Sequence, residues 1–289
     1  MKRLSGNFRY TCTAIALIAL AGLAACGDDG ADAPAEPGDA PATAVDAPVD
    51  PTEVLEREVA GDFLAYAEVD GKLVRGYFAY PADMIEPLPA VLFIHDWFGI
   101  DEEMRAVAYR IASKGYVVLA VDLFGGEMAE NAAGARQLLV QLLNAPDNAR
   151  SNIGQAYDFL TTTVGSPTIA AVGFGSGGVW ALNTALMYPE ALDAVVNIHG
   201  QTLRDAEQLS TLSMPVLGIY GAADRSMPLD EVREFGSLMQ SVGVPGQVRL
   251  YPEAGRGFML SGRPTYSAGQ ASSAWREIDT FLAESLAAN

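Results

Sequence analysis

The segment Thr168–Gly178, T-I-A-A-V-G-F-G-S-G-G, joins a continuous apolar run to a glycine-rich turn and the start of a helical pattern. A continuous apolar run of this length is typical of a strand that is covered on both faces of a parallel sheet. Four further runs of the same kind lie elsewhere in the chain: Ala90–His95, Tyr116–Val121, Ala194–Ile198 and Val216–Tyr220.

The stretches between these runs repeat their apolar residues with the period of a helix. Helices are predicted over residues 101–113, 132–143, 147–162, 177–187, 229–242 and 266–286, and a last strand over residues 247–251. Asp62–Asp70 and Lys72–Tyr80 alternate apolar and polar residues around Asp70-Gly71, which indicates an antiparallel hairpin. The pattern predicts an α/β fold, a doubly wound, mostly parallel sheet of about eight strands with helices on both faces and an antiparallel N-terminal hairpin.

The N-terminal sequence has the pattern of a secretory signal peptide. Lys2, Arg3 and Arg9 precede an apolar run, Ala14–Ala25, that is too short to span a membrane. The run ends in Leu23-Ala24-Ala25-Cys26-Gly27, which resembles a bacterial lipobox. That resemblance implies a signal peptide over residues 1–25, lipid on Cys26, and a periplasm-facing or cell-surface protein, and Gly27 in place of an aspartate favours the outer membrane. The alternative is an ordinary signal peptide in which Cys26 occurs by chance.

Residues 27–52 are rich in Ala, Pro and Asp and carry acids but no base. Such a segment buries too little apolar surface to fold, so residues 26–52 are predicted to be a tether and residues 53–289 one domain. Removing the signal takes the net charge from −18 to −21, because it removes three bases and no acid. So acidic a protein is an improbable partner for nucleic acid.

The mature domain has no thiol, since Cys12 lies in the signal and Cys26 is the anchor. This excludes disulfides, thiolate metal sites and a cysteine nucleophile. The two histidines lack the spacing of metal ligands, and the sequence implies no cofactor. In a doubly wound sheet, ligands lie at the carboxyl ends of the strands. The loops at residues 95–100, 174–178, 221–227 and 253–260 are therefore expected to form the site.

Several segments in order resemble the dienelactone hydrolase family of the α/β-hydrolase fold. They are Val91–Gly99, Lys114–Gly126, Ala171–Phe174, Pro215–Gly221 with Asp224, and Gly255–Phe258. The resemblance covers essentially all of residues 53–289 and implies an ancestor that hydrolysed esters or lactones. The family's triad is a cysteine or serine, an aspartate and a histidine, in that order along the chain.

Matched position by position, the triad is incomplete. Asp224 matches the acid, but Gly175 replaces the nucleophile and Arg256 replaces the histidine. Glycine has no side chain, and arginine keeps its proton in proteins, so it cannot act as a general base. Arg256 is expected to pair with Asp96, which matches a family glutamate, or with Asp224 in a buried ion pair.

Ser176 and the two histidines are the candidates to replace the missing groups. Ser176 lies one position after the nucleophile and could instead cap its helix. His95 is the nearer histidine and would have to reach Ser176, whereas His199 is expected to be a hydrogen-bonded residue at a strand end.

The part of the family's site that binds the substrate's oxygen is expected to survive. The resemblance implies that the backbone N–H groups of Trp97 and Ser176 would hold an oxyanion, with Asp96 and Arg256 beside them. Gly175 is expected to leave room there, while Gly126 and Leu260 replace the arginines that hold the substrate carboxylate in the family's type member. Two hypotheses follow: a pseudoenzyme that binds a small carbonyl or carboxylate ligand or a protein partner, and a rearranged ester or lactone hydrolase that uses Ser176.

Overall fold

We describe the protein from a computed structural model, which describes residues 56–287. The predicted signal peptide, Cys26 and the tether lie outside the described residues. Within residues 56–287, none of the helices combines the length and the hydropathy that a membrane crossing needs.

The core of the domain is one eight-stranded sheet with the order β1-β2-β4-β3-β5-β6-β7-β8. β1 pairs antiparallel with β2, and β2 pairs antiparallel with β4, while the remaining neighbours are parallel. The predicted doubly wound, mostly parallel sheet with an N-terminal hairpin is therefore confirmed. The strands are β1 Val59–Val69, β2 Lys72–Pro81, β3 Ala90–Ile94, β4 Val117–Val121, β5 Ile169–Phe174, β6 Ala194–Ile198, β7 Val216–Gly221 and β8 Gly246–Tyr251.

Helices cover both faces of the sheet, as the continuous apolar runs predict. Along β3, Val91 and Phe93 belong to the core on one face, and Leu92 and Ile94 belong to the core on the other. Helices α1 and α7 supply the first core, and α3, α4 and α6 contribute to the second. The α-helices are α1 Glu102–Ser113, α2 Ala132–Asn144, α3 Pro146–Asp158, α4 Ser176–Met187, α5 Ala206–Leu209, α6 Leu229–Val242 and α7 Ala268–Ser285.

Two helical features differ from the sequence prediction. The helix predicted over residues 147–162 is α-helical only to Asp158 and continues as a π-helical turn, Phe159–Val164, which Gly165 ends in the left-handed conformation at φ 75°. The short helix α5 was not predicted, because four residues are too few to show helical periodicity.

Candidate functional site

The site is built on the sharp turn between β5 and α4. Gly175 sits alone between the two elements with φ 53° and ψ −112°, a conformation that L-residues rarely adopt. Its backbone N–H donates to the carbonyl oxygen of Ile198, with 2.7 Å between the nitrogen and the oxygen. A side chain at Gly177 would place its Cβ 2.5 Å from the carbonyl oxygen of His95, so glycine lets α4 pack tightly against the end of β3. The sequence G-F-G-S-G thus forms a strand–turn–helix elbow with glycine at its apex.

The space beside Gly175 is filled by two charged side chains. A Cβ on Gly175 would lie 2.6 Å from the Cγ of Asp96 and 2.6 Å from Nη2 of Arg256. The expectation that Gly175 leaves room for a ligand is therefore wrong. Without a side chain at position 175, the carboxylate and the guanidinium occupy that space themselves.

The two backbone N–H groups expected to hold an oxyanion do converge on one point, and Asp96 occupies that point. The N–H groups of Trp97 and Ser176 both donate to Oδ1 of Asp96, at 2.8 Å and 3.2 Å. Nη2 of Arg256 lies 3.7 Å from the same oxygen, so the ion pair expected between Asp96 and Arg256 is present. The protein's own carboxylate thus takes the place of a bound anion, held by charge-assisted hydrogen bonds.

Asp224 lies on the loop after β7 and does not pair directly with Arg256. Its Oδ1 accepts hydrogen bonds from the backbone N–H of Ser226 at 2.8 Å and from the Ser226 hydroxyl at 2.6 Å. Nη1 of Arg256 donates to that hydroxyl at 3.2 Å. Among the ion pairs within residues 56–287, none joins Asp224 to Arg256, so the expected buried ion pair is wrong. Ser226, which the sequence analysis does not predict as a site residue, connects Asp224 to Arg256. Its position two residues after an aspartate is a common turn spacing, and this spacing is the signal in the sequence that points to it.

His199, at the end of β6, is buried without a hydrogen bond to its ring. It is 2% exposed, and neither ring nitrogen has a partner among the described residues, so the expectation of a hydrogen-bonded histidine is wrong. The ring packs edge-on against Phe258 with 5.2 Å between the centroids. Burial, with the nearby charge of Arg256, lowers the pKa of His199 to about 3, although Asp224 acts in the opposite direction. His199 also has φ 56°, which is rare for a large side chain. The ring is therefore neutral at ordinary pH.

His95 is held by the backbone and cannot serve Ser176. Its Nδ1 lies 2.6 Å from the carbonyl oxygen of Asp96, and its Nε2 accepts the N–H of Leu123 at 3.1 Å. Because Nε2 accepts, the proton of the neutral ring is on Nδ1 and donates to Asp96. Burial lowers the pKa of His95 as well. Both nitrogens are occupied, so this histidine orders the loop after β3.

Ser176 is the first residue of α4 and is half-buried. The residue at the N-cap position is Gly175, which has no side chain, so the expectation that Ser176 caps the helix is wrong. The Ser176 hydroxyl has no hydrogen-bond partner within residues 56–287. Neither histidine hydrogen-bonds this hydroxyl within residues 56–287: the backbone engages both nitrogens of His95, and the two unpartnered nitrogens of His199 make no bond to it. The site therefore has a hydroxyl and an acid, but no general base that connects them.

A cavity of about 490 Å³ lies between α1 and α7, away from the elbow. Its wall includes Leu260, at a position where the resemblance implied an arginine in the family's type member, and Arg110, which donates two hydrogen bonds to Asp279 at 2.9 and 2.8 Å. The elbow residues and Asp224 do not line it. Within residues 56–287 there is also no group of three or more His, Cys, Asp or Glu that could hold a metal ion.

Comparison with known proteins agrees with this architecture. The "Putative carboxymethylenebutenolidase" of Methylorubrum extorquens is 26% identical over 226 residues, covering 73% of this chain and 76% of that protein. Protein usf of Aquifex pyrophilus is 26% identical over 226 residues, covering 76% of this chain and 96% of its own length. A dienelactone hydrolase-like promiscuous phosphotriesterase from metagenomic libraries shares the fold, with a TM-score of 0.70, 22% identity and coverage of 78% and 98%.

The match at the level of the family covers most of the described domain. The sequence model of the dienelactone hydrolase family matches residues 74–286, from the second strand of the hairpin to the end of the closing helix. That range includes every residue of the elbow, the acid loop and the loop that carries Arg256. The chain therefore belongs to the dienelactone hydrolase family.

Proposed function

We propose that this protein is a pseudoenzyme of the dienelactone hydrolase family that binds a small carbonyl or carboxylate ligand, or a partner protein, without hydrolysing esters. The observation that carries the proposal is the occupation of both oxyanion donors, Trp97 N–H and Ser176 N–H, by the Asp96 carboxylate. An ester carbonyl could be polarised there only after Asp96 had left. Even then, Gly175 would offer no nucleophile and Arg256 no base.

The way in which Asp96 is held indicates the ligand chemistry. Two backbone N–H groups and one guanidinium surround a single carboxylate oxygen, and a small carboxylic acid would present the same group. Such a ligand would compete with Asp96 for the donors. Removal of the Asp96 carboxylate is therefore expected to strengthen ligand binding, while loss of the Arg256 charge weakens it.

The alternative function is a rearranged ester or lactone hydrolase that uses Ser176. One observation favours it: the Ser176 hydroxyl has no hydrogen-bond partner within residues 56–287 and lies at the elbow. The positions of both histidines oppose it, because His95 is engaged at both nitrogens and neither nitrogen of His199, although unpartnered, forms a hydrogen bond with this hydroxyl.

Ester turnover distinguishes the two functions. The purified protein, Ser176→Ala and Asp224→Asn are assayed with a panel of p-nitrophenyl esters and small lactones, and Ser237→Ala on the outside of α6 serves as the matched control. We expect no turnover above the buffer rate from any of the four. Turnover that disappears in Ser176→Ala and persists in Ser237→Ala would refute the pseudoenzyme proposal.

Binding of benzoate, measured by isothermal titration calorimetry, tests the ligand chemistry. Asp96→Ala is expected to bind benzoate about tenfold more tightly than the wild type, and Arg256→Gln to lose binding, since each carboxylate hydrogen bond of this kind contributes about 1.5–3 kcal/mol. Arg225→Gln, an exposed arginine on the Asp224 loop, is the matched control and should bind as the wild type does. Equal affinity in the wild type, Asp96→Ala and Arg256→Gln would refute a carboxylate site at Asp96.

We also propose that the protein is exported and tethered to a membrane through lipid on Cys26. The apolar run before Cys26, the small residues at positions 24 and 25 and the acidic tether after it support this proposal. Cys26→Ser in a bacterial host is expected to move the protein from the membrane fraction to the soluble fraction. An unchanged distribution between the fractions would contradict the anchor.

A further inference from the structure

Exposed apolar side chains gather around a second cavity, which Arg256 does not line. Six large apolar side chains are exposed within residues 56–287, and three of them line this one cavity. They are Phe63, Leu73 and Met128, with exposed fractions of 37%, 72% and 61%. The cavity has a volume of about 280 Å³, and buried Ile100 adds a fourth apolar wall. Isolated exposed apolar residues are ordinary, but a cluster around a concavity marks a binding surface.

One wall of the cavity is the hairpin of β1 and β2. β2 is paired with β4 only over Tyr77–Ala79, so Leu73 and Arg75 lie on the part of the hairpin beyond that pairing. Phe63 lies opposite Tyr77 in the hairpin, and their rings meet edge-on at 5.3 Å. The apolar face of this wall is therefore held in place by the register of the hairpin.

The other wall is the loop after β4, which several hydrogen bonds fix. The Asp122 carboxylate accepts the backbone N–H of Phe124 at 2.9 Å and that of Gly126. The N–H of Ala129 donates to the carbonyl oxygen of Phe98 at 3.0 Å, tying the far end of the loop to the segment after β3. Met128 lies on the loop between these hydrogen bonds, which hold it in place. The cavity is therefore formed without a ligand, as small-molecule sites usually are.

A single cation stands at this cavity. Arg75 lines it and donates from Nη2 to the carbonyl oxygen of Phe63 at 2.8 Å, but it makes no ion pair within residues 56–287. Two carboxylates also line the cavity: Glu127, which is exposed, and Asp122, which is buried and accepts the backbone N–H groups of Phe124 and Gly126. The planar guanidinium of Arg75 suits a carboxylate.

We propose that this cavity binds an amphiphilic monocarboxylate, with the carboxylate at Arg75 and the apolar chain along Phe63, Ile100 and Met128. A volume of about 280 Å³ is at the lower end of ligand pockets, which fits one short apolar chain. The site uses other residues than the Asp96–Arg256 site and does not depend on whether the elbow is catalytic.

Binding of sodium decanoate to the whole purified protein at pH 7.5, measured by isothermal titration calorimetry, tests the proposal. We expect one saturable site. Arg75→Leu should weaken decanoate about fivefold and leave 1-decanol unchanged, because the alcohol has the chain without the charge. Met128→Glu should weaken both ligands, because it places a carboxylate beside the chain. The matched controls are Arg136→Leu, an exposed arginine on α2, and Ile85→Glu, an apolar residue that is 94% exposed outside the cavity.

Four results would overturn the proposal. The first is the absence of saturable decanoate binding. The second is a decanoate affinity that neither Arg75→Leu nor Met128→Glu changes while both variants keep the wild-type circular dichroism. The third is a loss of binding in Arg256→Gln but not in Arg75→Leu, which would place the ligand at the elbow. The fourth is a dimer that Met128→Glu converts to a monomer in light scattering, which would assign the apolar surface to a second copy of the chain.

Discussion

Replacement of His199 by asparagine should remove a specific part of the protein's acid sensitivity. Asparagine suits the backbone at this position, because it tolerates the left-handed conformation better than most residues and His199 has φ 56°. The variant loses the ring that packs against Phe258, so it is expected to be less stable at every pH. The informative quantity is how that difference changes with pH.

The magnitude follows from the burial of the ring. The pKa of His199 is lowered from 6.5 to about 3 in the folded protein. Below pH 6.5 the unfolded chain takes up a proton at this position and the folded chain does not, so stability is highest above pH 6.5 and falls as the pH drops towards 3. The slope is about 1.4 kcal/mol per pH unit in that window. Between pH 7.5 and pH 4.5 the free energy of unfolding should fall by about 3 kcal/mol on account of His199.

Urea unfolding followed by tryptophan fluorescence at pH 7.5, 6.5, 5.5 and 4.5 measures the effect in both proteins. Carboxylates and His95 also titrate, but they do so in the wild type and in His199→Asn alike, so the difference between the two curves isolates His199. We expect the variant to be the less stable protein at pH 7.5 and the gap to close by about 3 kcal/mol at pH 4.5. A gap that stays constant across the four pH values would show that the folded protein protonates this ring as readily as the unfolded chain, and the reasoning would fail.

Three further substitutions test the packing of the site and its support. Gly175→Ala should lower the free energy of unfolding by about 2–3 kcal/mol, because the backbone is strained and the new Cβ meets the Asp96 carboxylate. Adding Asp96→Ala should recover part of that loss. If the effects of the two substitutions are additive in urea unfolding, the contact is contradicted. Arg110→Met should lower the free energy of unfolding by about 1.5–3 kcal/mol, because it removes two charge-assisted hydrogen bonds to Asp279 and leaves only Lys114, 3.8 Å away, as its partner. An unchanged melting temperature would argue against the pair. Arg256→Ala should lower the free energy of unfolding by less than about 1 kcal/mol, because the side chain is 37% exposed and lies 3.7 Å from Asp96 in the ion pair. A decrease of several kcal/mol in the same assay would instead support the buried ion pair that the sequence predicts.

The order of strands and helices could be predicted because buried parallel strands appear in the sequence as continuous apolar runs. The run at residues 90–95 and the run at residues 194–198 become β3 and β6 almost residue for residue, since both faces of each strand are buried and every position except His95 and Asn197 is apolar. The π-helical turn after Asp158 could not be predicted in this way, because its six residues are too few to show the wider i→i+5 spacing of a π-helix.

The substitutions in the site could be read from the sequence, but their arrangement could not. Gly175 and Arg256 stand in matched positions of a family pattern, so their identity was evident from the chain alone. That Asp96 reaches across to the N–H of Ser176, 80 positions later, depends on how two loops pack, and no local pattern records it. The contacts of His199 could not be predicted either, because nothing in the sequence indicates that its ring lies against Phe258 and not against a hydrogen-bond partner.

The place of Asp96 at the elbow also sets the order in which positions 96 and 175 could change by mutation. A serine or cysteine introduced at position 175 would meet the carboxylate before it met any substrate. A variant with that change alone is therefore expected to be less stable than the wild type. Loss of the Asp96 carboxylate would remove the clash, so position 96 has to change before position 175 can carry a side chain without that cost. The carboxylate thus couples the two positions, because the residue tolerated at position 175 depends on the residue at position 96.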